Sequence, residues 1–208
     1  MKAVLDIGQW PRKDHFYFFR QFNEPFFGAT ATIDCTKAYD TAKALDTPFF
    51  VFYLHKVLAT VNAIEPFRYR ISGDIVEIWD RIDASPTISR EDGSFAFSLV
   101  EFDPDINTFA RIAKTEIERV RTTPGLFTRK FDENIIHFSA LPWIDFTSLS
   151  HARSYSNADS CPKISIGKMT TDANGKKTFP VSVHVHHGLM DGYHVGEFFE
   201  NLQAALNR

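Results

Sequence analysis

The stretch KTFPVSVHVHH, residues 177–187, constrains the fold more than any other part of the chain. Valines alternate here with polar residues, which predicts a β-strand with one apolar face, because successive side chains in a strand point to opposite sides of the sheet. His187 continues the apolar face of the valines, whereas His184 and His186 project from the other face. Two histidines without an acidic or thiol partner nearby are typical of a solvated strand face, which is the prediction for this pair.

The rest of the chain predicts helices interleaved with strands. Asn174-Gly175 is a strong turn signal, so residues 163–171 and 177–187 are interpreted as a long hairpin. The helix predicted over 103–123 begins with Asp103 as N-cap and Pro104 at the first helical position. Further helices are predicted at 36–45, 48–64 and 192–208, and further strands at 28–35, 67–71, 75–80, 94–102 and 134–141.

These elements lack the regular spacing of β-α-β units and include hairpins. The sequence therefore predicts an α+β fold, a two-layer sandwich in which helices cover a mostly antiparallel or mixed sheet. A chain of 208 residues suits a single domain, 1–208, that buries about 70% of the surface of its unfolded chain.

The charge balance excludes a general attraction to nucleic acid. The chain has 26 acidic and 23 basic residues, a formal net charge of -3, so a small molecule or a protein is the expected partner. No apolar run resembles a signal peptide or approaches the roughly 20 residues of a membrane span, which predicts a cytoplasmic protein without membrane contact. Cys35 and Cys161 are predicted to be free thiols.

Three histidines within four positions raise the question of a metal site. All three could bind one ion only if ligands from opposite sides of the strand converged, and the spacing matches neither HExxH nor HxHxDH. No metal is therefore expected. His187 stands where the strand breaks into the turn GLMDG, and two interpretations stay open for it: a general base for a hydroxyl or thiol, or a core histidine with a satisfied hydrogen bond.

Three separated motifs make the chain resemble the chloramphenicol acetyltransferases. They are QWPRKDHF at 9–16, SALPWIDFTS at 139–148 and VHVHHGLMDGYHV at 183–195. The last contains HHxxxDG, a pattern that other CoA-dependent acyltransferases share, including the dihydrolipoyl acyltransferases. The combination and order of the three motifs are much more specific than HHxxxDG alone.

The resemblance implies acetyl transfer from acetyl-CoA directly to an acceptor hydroxyl. His187 matches the general base of the family, and Asp191 matches an aspartate that pairs with an arginine, here Arg12. Ser139 matches the serine that donates a hydrogen bond to the oxyanion of the tetrahedral intermediate. Two further positions match residues near the cofactor: Ser165 stands for a threonine that holds a water, and Lys168 for a lysine that meets the 3′-phosphate of CoA.

The resemblance also implies a homotrimer with active sites at subunit boundaries. Phe19 and Phe27 match aromatic residues of the acceptor pocket, but His151 stands where an apolar pocket residue is expected, within a segment, 149–163, that departs from the family pattern. Chloramphenicol is the acceptor that the resemblance implies. Transfer to another small alcohol or amine, and a non-catalytic trimeric relative that binds a ligand without modifying it, stay open as alternatives.

Overall fold

A large mixed sheet with helices packed on one face organises the chain. The computed structural model describes residues 1–153 and 159–208, and it confirms the predicted α+β fold. The helices are α1 (Lys13–Phe19), α2 (Thr36–Ala44), α3 (Phe49–Ala63), α4 (Ile106–Thr122) and α5 (Gly192–Leu206). The strands are β1 (Lys2–Val4), β2 (Phe26–Asp34), β3 (Tyr69–Ser72), β4 (Ile75–Trp79), β5 (Asp83–Ser89), β6 (Phe95–Phe97), β7 (Ile135–Ala140), β8 (Lys163–Ile166), β9 (Thr170–Thr171) and β10 (Lys177–His186).

The large sheet has the strand order β2-β10-β8-β7-β5-β6 in the described part of the chain, with β9 paired to the beginning of β10. β7 runs parallel to both β5 and β8, and the other neighbours are antiparallel. The sheet is therefore mixed, as predicted. The predicted hairpin joins β8 to β10 through a turn at Gly175, whose φ of 83° is one that glycine adopts readily. A small sheet of order β1-β4-β3 stands beside the large one.

The apolar face of β10 forms the centre of the core. Val181, Val183 and Val185 are fully buried and belong to one cluster with apolar residues of α3 and α5. The ring of Tyr53 on α3 packs edge-on against Phe179 of β10, with 5.8 Å between centroids. The helix layer therefore covers the valine face, and the opposite face of the sheet is left for other contacts.

Helix α4 begins two residues later than predicted. Its N-cap is Asp105, whose side chain accepts a hydrogen bond from the backbone N–H of Thr108 at 2.8 Å. The Asp103 carboxylate instead accepts from the N–H of Asp105 at 2.9 Å, a local turn that brings Asp105 into the capping position. The prediction of Asp103 as N-cap and Pro104 as first helical residue was therefore wrong, because a second aspartate competes for the same role.

Both cysteines are buried free thiols, as predicted. Burial raises the pKa of Cys35 to about 12, so this thiol is a poor nucleophile at neutral pH. Within 1–153 and 159–208, no helix combines the length and the apolar character needed to cross a membrane.

Candidate functional site

His187 lies just beyond the end of β10, in contact with two aromatic rings. Its imidazole stacks on Phe19, with 3.9 Å between centroids and 12° between planes. The ring of Phe27 approaches at 4.6 Å with a tilt of 45°. The His187 backbone N–H donates to the carbonyl oxygen of Pro25 at 2.8 Å. The ring is therefore held by two aromatic contacts at the start of the turn that leaves the sheet.

The hydrogen bond of the His187 ring assigns its tautomer. Nδ1 lies 3.2 Å from the carbonyl oxygen of Met190. Because a carbonyl only accepts, Nδ1 must carry the hydrogen, and in the neutral ring Nε2 then holds the free lone pair. This arrangement leaves Nε2 available to accept a proton from a hydroxyl group.

An ion pair fixes the turn that carries His187. Arg12 Nη1 contacts Asp191 Oδ2, as the resemblance implied, and Arg12 Nη2 donates to the backbone carbonyl of His187 at 3.1 Å. Asp191 is also the N-cap of α5: its carboxylate accepts from the N–H of Tyr193 at 3.1 Å, and His194 completes a capping box. The Arg12 guanidinium therefore connects the first motif to the two ends of the turn in the last motif, His187 and Asp191.

The Asp191 carboxylate is stabilised in its charged form. Burial opposes ionisation, but the charge of Arg12, the neighbouring His194 and the N–H of Tyr193 together outweigh it and hold the pKa below its usual value. The carboxylate therefore stays ionised at neutral pH. Among the described hydrogen bonds, it contacts Arg12, Tyr193 and His194 and not the His187 ring.

Ser139 lies in a row of three serines that crosses the sheet. It pairs with Ser165 of β8, which in turn pairs with Ser182 of β10. Paired residues point to the same side of a sheet, so these three form one row, which we call the serine row. His187 lies five positions beyond Ser182, about 17 Å along the strand and about 10 Å across two strands from Ser139. Within a single chain Ser139 therefore cannot act on the same atoms as His187.

A cavity of about 800 Å³ opens beside the end of β7 that carries Ser139. Ala140, Pro142 and Trp143, which follow Ser139, line it together with apolar residues of α3 and α4. Its charged lining residues are Arg111, Lys114, Arg121, Asp46 and Glu118. The cavity thus combines an apolar wall with three cations and two carboxylates, a lining that suits a ligand with both apolar and phosphate parts.

The two predicted cofactor residues differ in their surroundings. Lys168 is exposed, and its backbone N–H donates to the carbonyl oxygen of Ile144 at 2.8 Å, which holds it beside the loop that contains Trp143. Ser165 is fully buried, and its hydroxyl has no hydrogen-bond partner in the described part of the chain. A buried hydroxyl without a partner is costly unless a water or ligand satisfies it.

The prediction of a solvated face for His184 and His186 was wrong. His186 is only 4% exposed: its Nδ1 accepts from the N–H of Gly188 at 3.1 Å, and its ring packs edge-on against Phe26. His184 is half-buried because it pairs with Gly28, where a Cβ atom would lie 2.3 Å from the imidazole. The missing side chain at Gly28 makes room for the ring, and this cross-strand relation does not show in the sequence of β10 alone.

Among the described ring contacts, His151 packs against His184 and not against His187. Its ring packs edge-on against His184 at 4.9 Å between centroids, which places it on the serine side of the sheet. Its Nε2 is buried without a hydrogen-bond partner among the described residues. Residues 154–158, which belong to the same divergent segment, lie outside the described residues.

A second row of polar residues lies beside the serine row and was not predicted from the sequence. His137 pairs with Lys163, which pairs with His184, and we call these three residues the histidine row. Donor atoms of His137, Asp159 and Cys161 lie within 4.8 Å of one another, close enough for a metal ion. However, Asp159 is already paired with Lys163 Nζ at 2.5 Å. The absence of a metal stays a prediction. The signal was present in the sequence, because His137 and Lys163 each stand two positions before a serine of the serine row.

Relatives of this chain at about 30% identity are named chloramphenicol acetyltransferases. The profile of the family described as chloramphenicol acetyltransferase matches residues 2–203. A chloramphenicol acetyltransferase of Proteus mirabilis is 30% identical over 201 residues, which cover 96% of this chain and 92% of that protein. A solved chloramphenicol acetyltransferase aligns with a TM-score of 0.87 and 31% identity over 99% of this chain and 100% of its own. A dihydrolipoamide acetyltransferase of Azotobacter vinelandii, with 12% identity, a TM-score of 0.70 and coverage of 93% and 86%, shares the fold alone.

Proposed function

The chain belongs to the chloramphenicol acetyltransferase family, and on that premise we propose that this acyltransferase moves an acetyl group from acetyl-CoA directly to the hydroxyl of a small acceptor. Chloramphenicol is one such acceptor in this proposal. The observation that carries it is the His187 ring, held between Phe19 and Phe27 with Nδ1 on the Met190 carbonyl and Nε2 free. Cytoplasmic location and action as one domain over 1–208 belong to the same proposal.

His187 acts as the general base. Its Nε2 takes the proton of the acceptor hydroxyl while the hydroxyl oxygen attacks the carbonyl carbon of the thioester. The tetrahedral intermediate then collapses: the carbon–sulfur bond breaks, the CoA thiolate leaves, and the imidazolium returns its proton to the sulfur. The sequence of steps needs no acyl-enzyme, and both thiols of the chain are buried.

Ser139 stabilises the negative charge of the intermediate. Its hydroxyl donates to the oxyanion, and one such donor is typically worth about 10²- to 10³-fold in rate. The unpartnered hydroxyl of Ser165, next to Ser139 in the serine row, holds a water or a ligand oxygen close to the same centre. Both roles depend on the sheet, because the pairing of β7 with β8 fixes the distance between the two side chains.

Acetyl-CoA occupies the cavity beside Ser139. The apolar wall with Ala140, Pro142 and Trp143 suits the pantetheine arm, and the cations of α4 with the exposed Lys168 suit the phosphates. The thioester then reaches Ser139 from the end of β7. Phe19 and Phe27 line the acceptor side around His187, and His151 faces the acceptor from the serine side.

The active site forms between two copies of the chain. His187 and Ser139 lie about 19 Å apart within one chain, so a site that uses both requires His187 from one subunit and Ser139 from its neighbour. Head-to-tail contacts of this kind form a closed ring when the rotation that relates neighbouring subunits returns to the first subunit. The ring we propose is a homotrimer. Phe19, Phe27 and the Arg12–Asp191 pair belong to the His187 side of each boundary.

Mixed assemblies test this arrangement. Release of free thiol from acetyl-CoA is measured with chloramphenicol and a panel of other alcohols, first for the parent protein. The variants His187→Gln and Ser139→Ala are then assayed alone and after unfolding and refolding together. In a random mixture about one quarter of the boundaries join an intact His187 to an intact Ser139, so activity returns to about one quarter of the parent value.

The outcome separates the parts of the proposal. Two weak variants that stay weak when mixed, with mixed assembly confirmed by mass spectrometry, contradict a site shared between subunits. A parent protein that releases no thiol with any alcohol contradicts the transferase proposal as a whole.

A further inference from the structure

The strongest unexplained feature of the molecule is the histidine row with its surroundings. His137, Lys163 and His184 lie side by side on the face that carries the serine row. Asp159 and His151 contact this row, through an ion pair to Lys163 and a ring contact to His184 respectively. A sheet face that carries five titratable groups in contact is unusual, because burial of such groups costs free energy unless they are paired or serve a ligand.

The direction of β7 places this cluster on the acceptor side of the site. The cavity assigned to acetyl-CoA lies beyond Ser139, at Ala140, Pro142 and Trp143. His137 lies two positions before Ser139 on the same face, about 7 Å away in the opposite direction. In direct transfer the acetyl group passes between donor and acceptor at Ser139, so the acceptor must lie on the side away from the cavity. That side is the histidine row.

The charges of the cluster balance. Lys163 Nζ lies 2.5 Å from Asp159 Oδ2, and Arg153 pairs with Glu24 next to them. Burial lowers the pKa of His137 and of His151 to about 4 and also lowers that of His184. These rings are therefore neutral at pH 7. The cluster presents hydrogen-bond donors and acceptors without a net charge that would attract an ion.

Polar atoms on this face lack partners within the described residues. The Ser85 hydroxyl, the Ser165 hydroxyl and the His151 Nε2 are all buried and unpartnered. Ser85 pairs with His137, and Ser165 lies in the serine row, so the unpartnered atoms of Ser85 and Ser165 flank the same region. An aromatic surface completes it: the Phe26 ring lies under Lys163 Nζ at 4.6 Å and under the Arg153 guanidinium at 3.6 Å.

From this arrangement we infer that the preferred acceptor is an uncharged alcohol that carries several further hydroxyl groups, bound by Lys163, Asp159, His137 and His151. Carboxylate and imidazole acceptors, an ammonium donor and an aromatic ring are the groups that bind a hydroxyl-rich molecule. An aromatic alcohol such as chloramphenicol offers fewer hydroxyl groups to this face, so buried polar atoms such as the Nε2 of His151 stay without partners, and that loss costs affinity. The inference rests on the proposed transferase function and names the substrate class of the same site.

A metal ion is a poorer occupant of the cluster. The donor atoms of His137, Asp159 and Cys161 are close enough, but Lys163 holds the Asp159 carboxylate, and Arg70 lies near Cys161. An added cation would face both of these positive charges at close range. Activity on a hydroxyl-rich acceptor is therefore expected to be the same with and without EDTA, and loss of that activity in EDTA with recovery in zinc would overturn the inference.

The test compares acceptors in parent and variant enzymes. Values of kcat/KM are measured by thiol release for chloramphenicol and for glycerol, myo-inositol and methyl α-glucoside. We expect at least one of the three polyols to be acetylated about 10-fold or more faster than chloramphenicol. Lys163→Met and His151→Leu should each shift the ratio of polyol to chloramphenicol by about 10- to 100-fold towards chloramphenicol.

Lys56→Met is the matched control. Lys56 is also partly buried over a phenylalanine ring, at 5.1 Å from the Phe52 centroid, but lies on α3 and away from the histidine row. Its substitution should leave the ratio unchanged. Because Lys163→Met removes one member of a buried ion pair and risks misfolding, His151→Leu, in a loop, keeps the test decisive.

The failures are distinguishable. Transfer to chloramphenicol that is faster than transfer to every polyol, or an acceptor ratio that both variants leave unchanged, overturns this inference and leaves the transferase proposal intact. No thiol release with any acceptor overturns the transferase proposal and this inference together.

Discussion

The two faces of the large sheet, built from the same strands, have different uses. On β10, Val181, Val183 and Val185 enter the core, while Ser182, His184 and His186 lie on the opposite face. The valine face meets α3 and α5 and has one task, burial. The polar face is nearly as buried, yet it carries hydroxyl, imidazole and ammonium groups, and two of its hydroxyls and one imidazole nitrogen lack a partner within 1–153 and 159–208. Burial alone therefore does not identify a core, because the polar face holds buried atoms without partners among the described residues, such as the hydroxyls of Ser85 and Ser165.

The largest expected effect concerns His187. This residue follows the last residue of β10 and therefore belongs to neither face of the sheet. His187→Gln should lower kcat by about 10²- to 10⁴-fold, because in the proposed mechanism His187 takes the proton from the acceptor. Thiol release under saturating acetyl-CoA measures the change. The exposed His15 supplies the control, since His15→Gln should leave kcat as in the parent. Near-parent turnover of His187→Gln would show that the base lies elsewhere.

A smaller effect separates the faces by stability. Val183→Ala removes two buried methyl groups from the core and should lower the free energy of unfolding by about 2 kcal/mol. Ser182→Ala, at the neighbouring position on the other face, should cost less than about 0.5 kcal/mol, because among the described residues its hydroxyl makes a single long contact, 3.5 Å from His184 Nδ1. Urea unfolding of the two variants gives both values, and equal losses would contradict the difference between the faces.

A further expected effect is a pH dependence to which the buried histidines of the polar face contribute. Burial is the largest cause that lowers the pKa of His137, His151 and His186 from 6.5 to about 4. Since the folded state favours the neutral rings, their contribution to stability is complete above pH 6.5 and is lost as the pH falls towards about 4. The melting temperature should drop by about 5 °C or more between pH 7 and pH 5.

Scanning calorimetry of the parent and of His151→Leu checks this dependence. The variant lacks one of the three rings and should show a smaller drop over the same range. A melting temperature that is constant from pH 7 to pH 5 in both proteins would mean that the rings titrate alike in the folded and unfolded states.

Much of the fold followed from patterns within single elements. The valine alternation predicted β10, and the Asn174-Gly175 turn predicted its hairpin with β8, because both signals are local. The strand predicted over 94–102 was too long: only Phe95–Phe97 forms a strand, and Val100 joins the sheet through a single bridge to Ala84. The length of this strand depends on its pairing with β5, and the sequence of 94–102 does not reveal that pairing.

The site was predictable only in part, for the same reason. The Arg12–Asp191 pair joins residues far apart in sequence, and the resemblance implied it before any geometry did. The histidine row was not predicted because its three residues come from three strands, and only the pairing of these strands shows that they are neighbours. The separation of Ser139 from His187 depends likewise on strand order and register, which residue patterns do not give.

The contact between Gly28 and His184 ties two positions together in evolution. A Cβ at position 28 would overlap the imidazole, so any larger residue there must be preceded by loss of the His184 ring. Loss of the His184 ring while Gly28 is kept leaves a void next to Gly28 that a methyl group could fill. Substitutions at the two sites are therefore expected to be strongly non-additive. In natural or laboratory evolution, some pairs of residues at positions 28 and 184 can therefore arise only if position 184 changes first. A scan of single substitutions will not reveal these pairs.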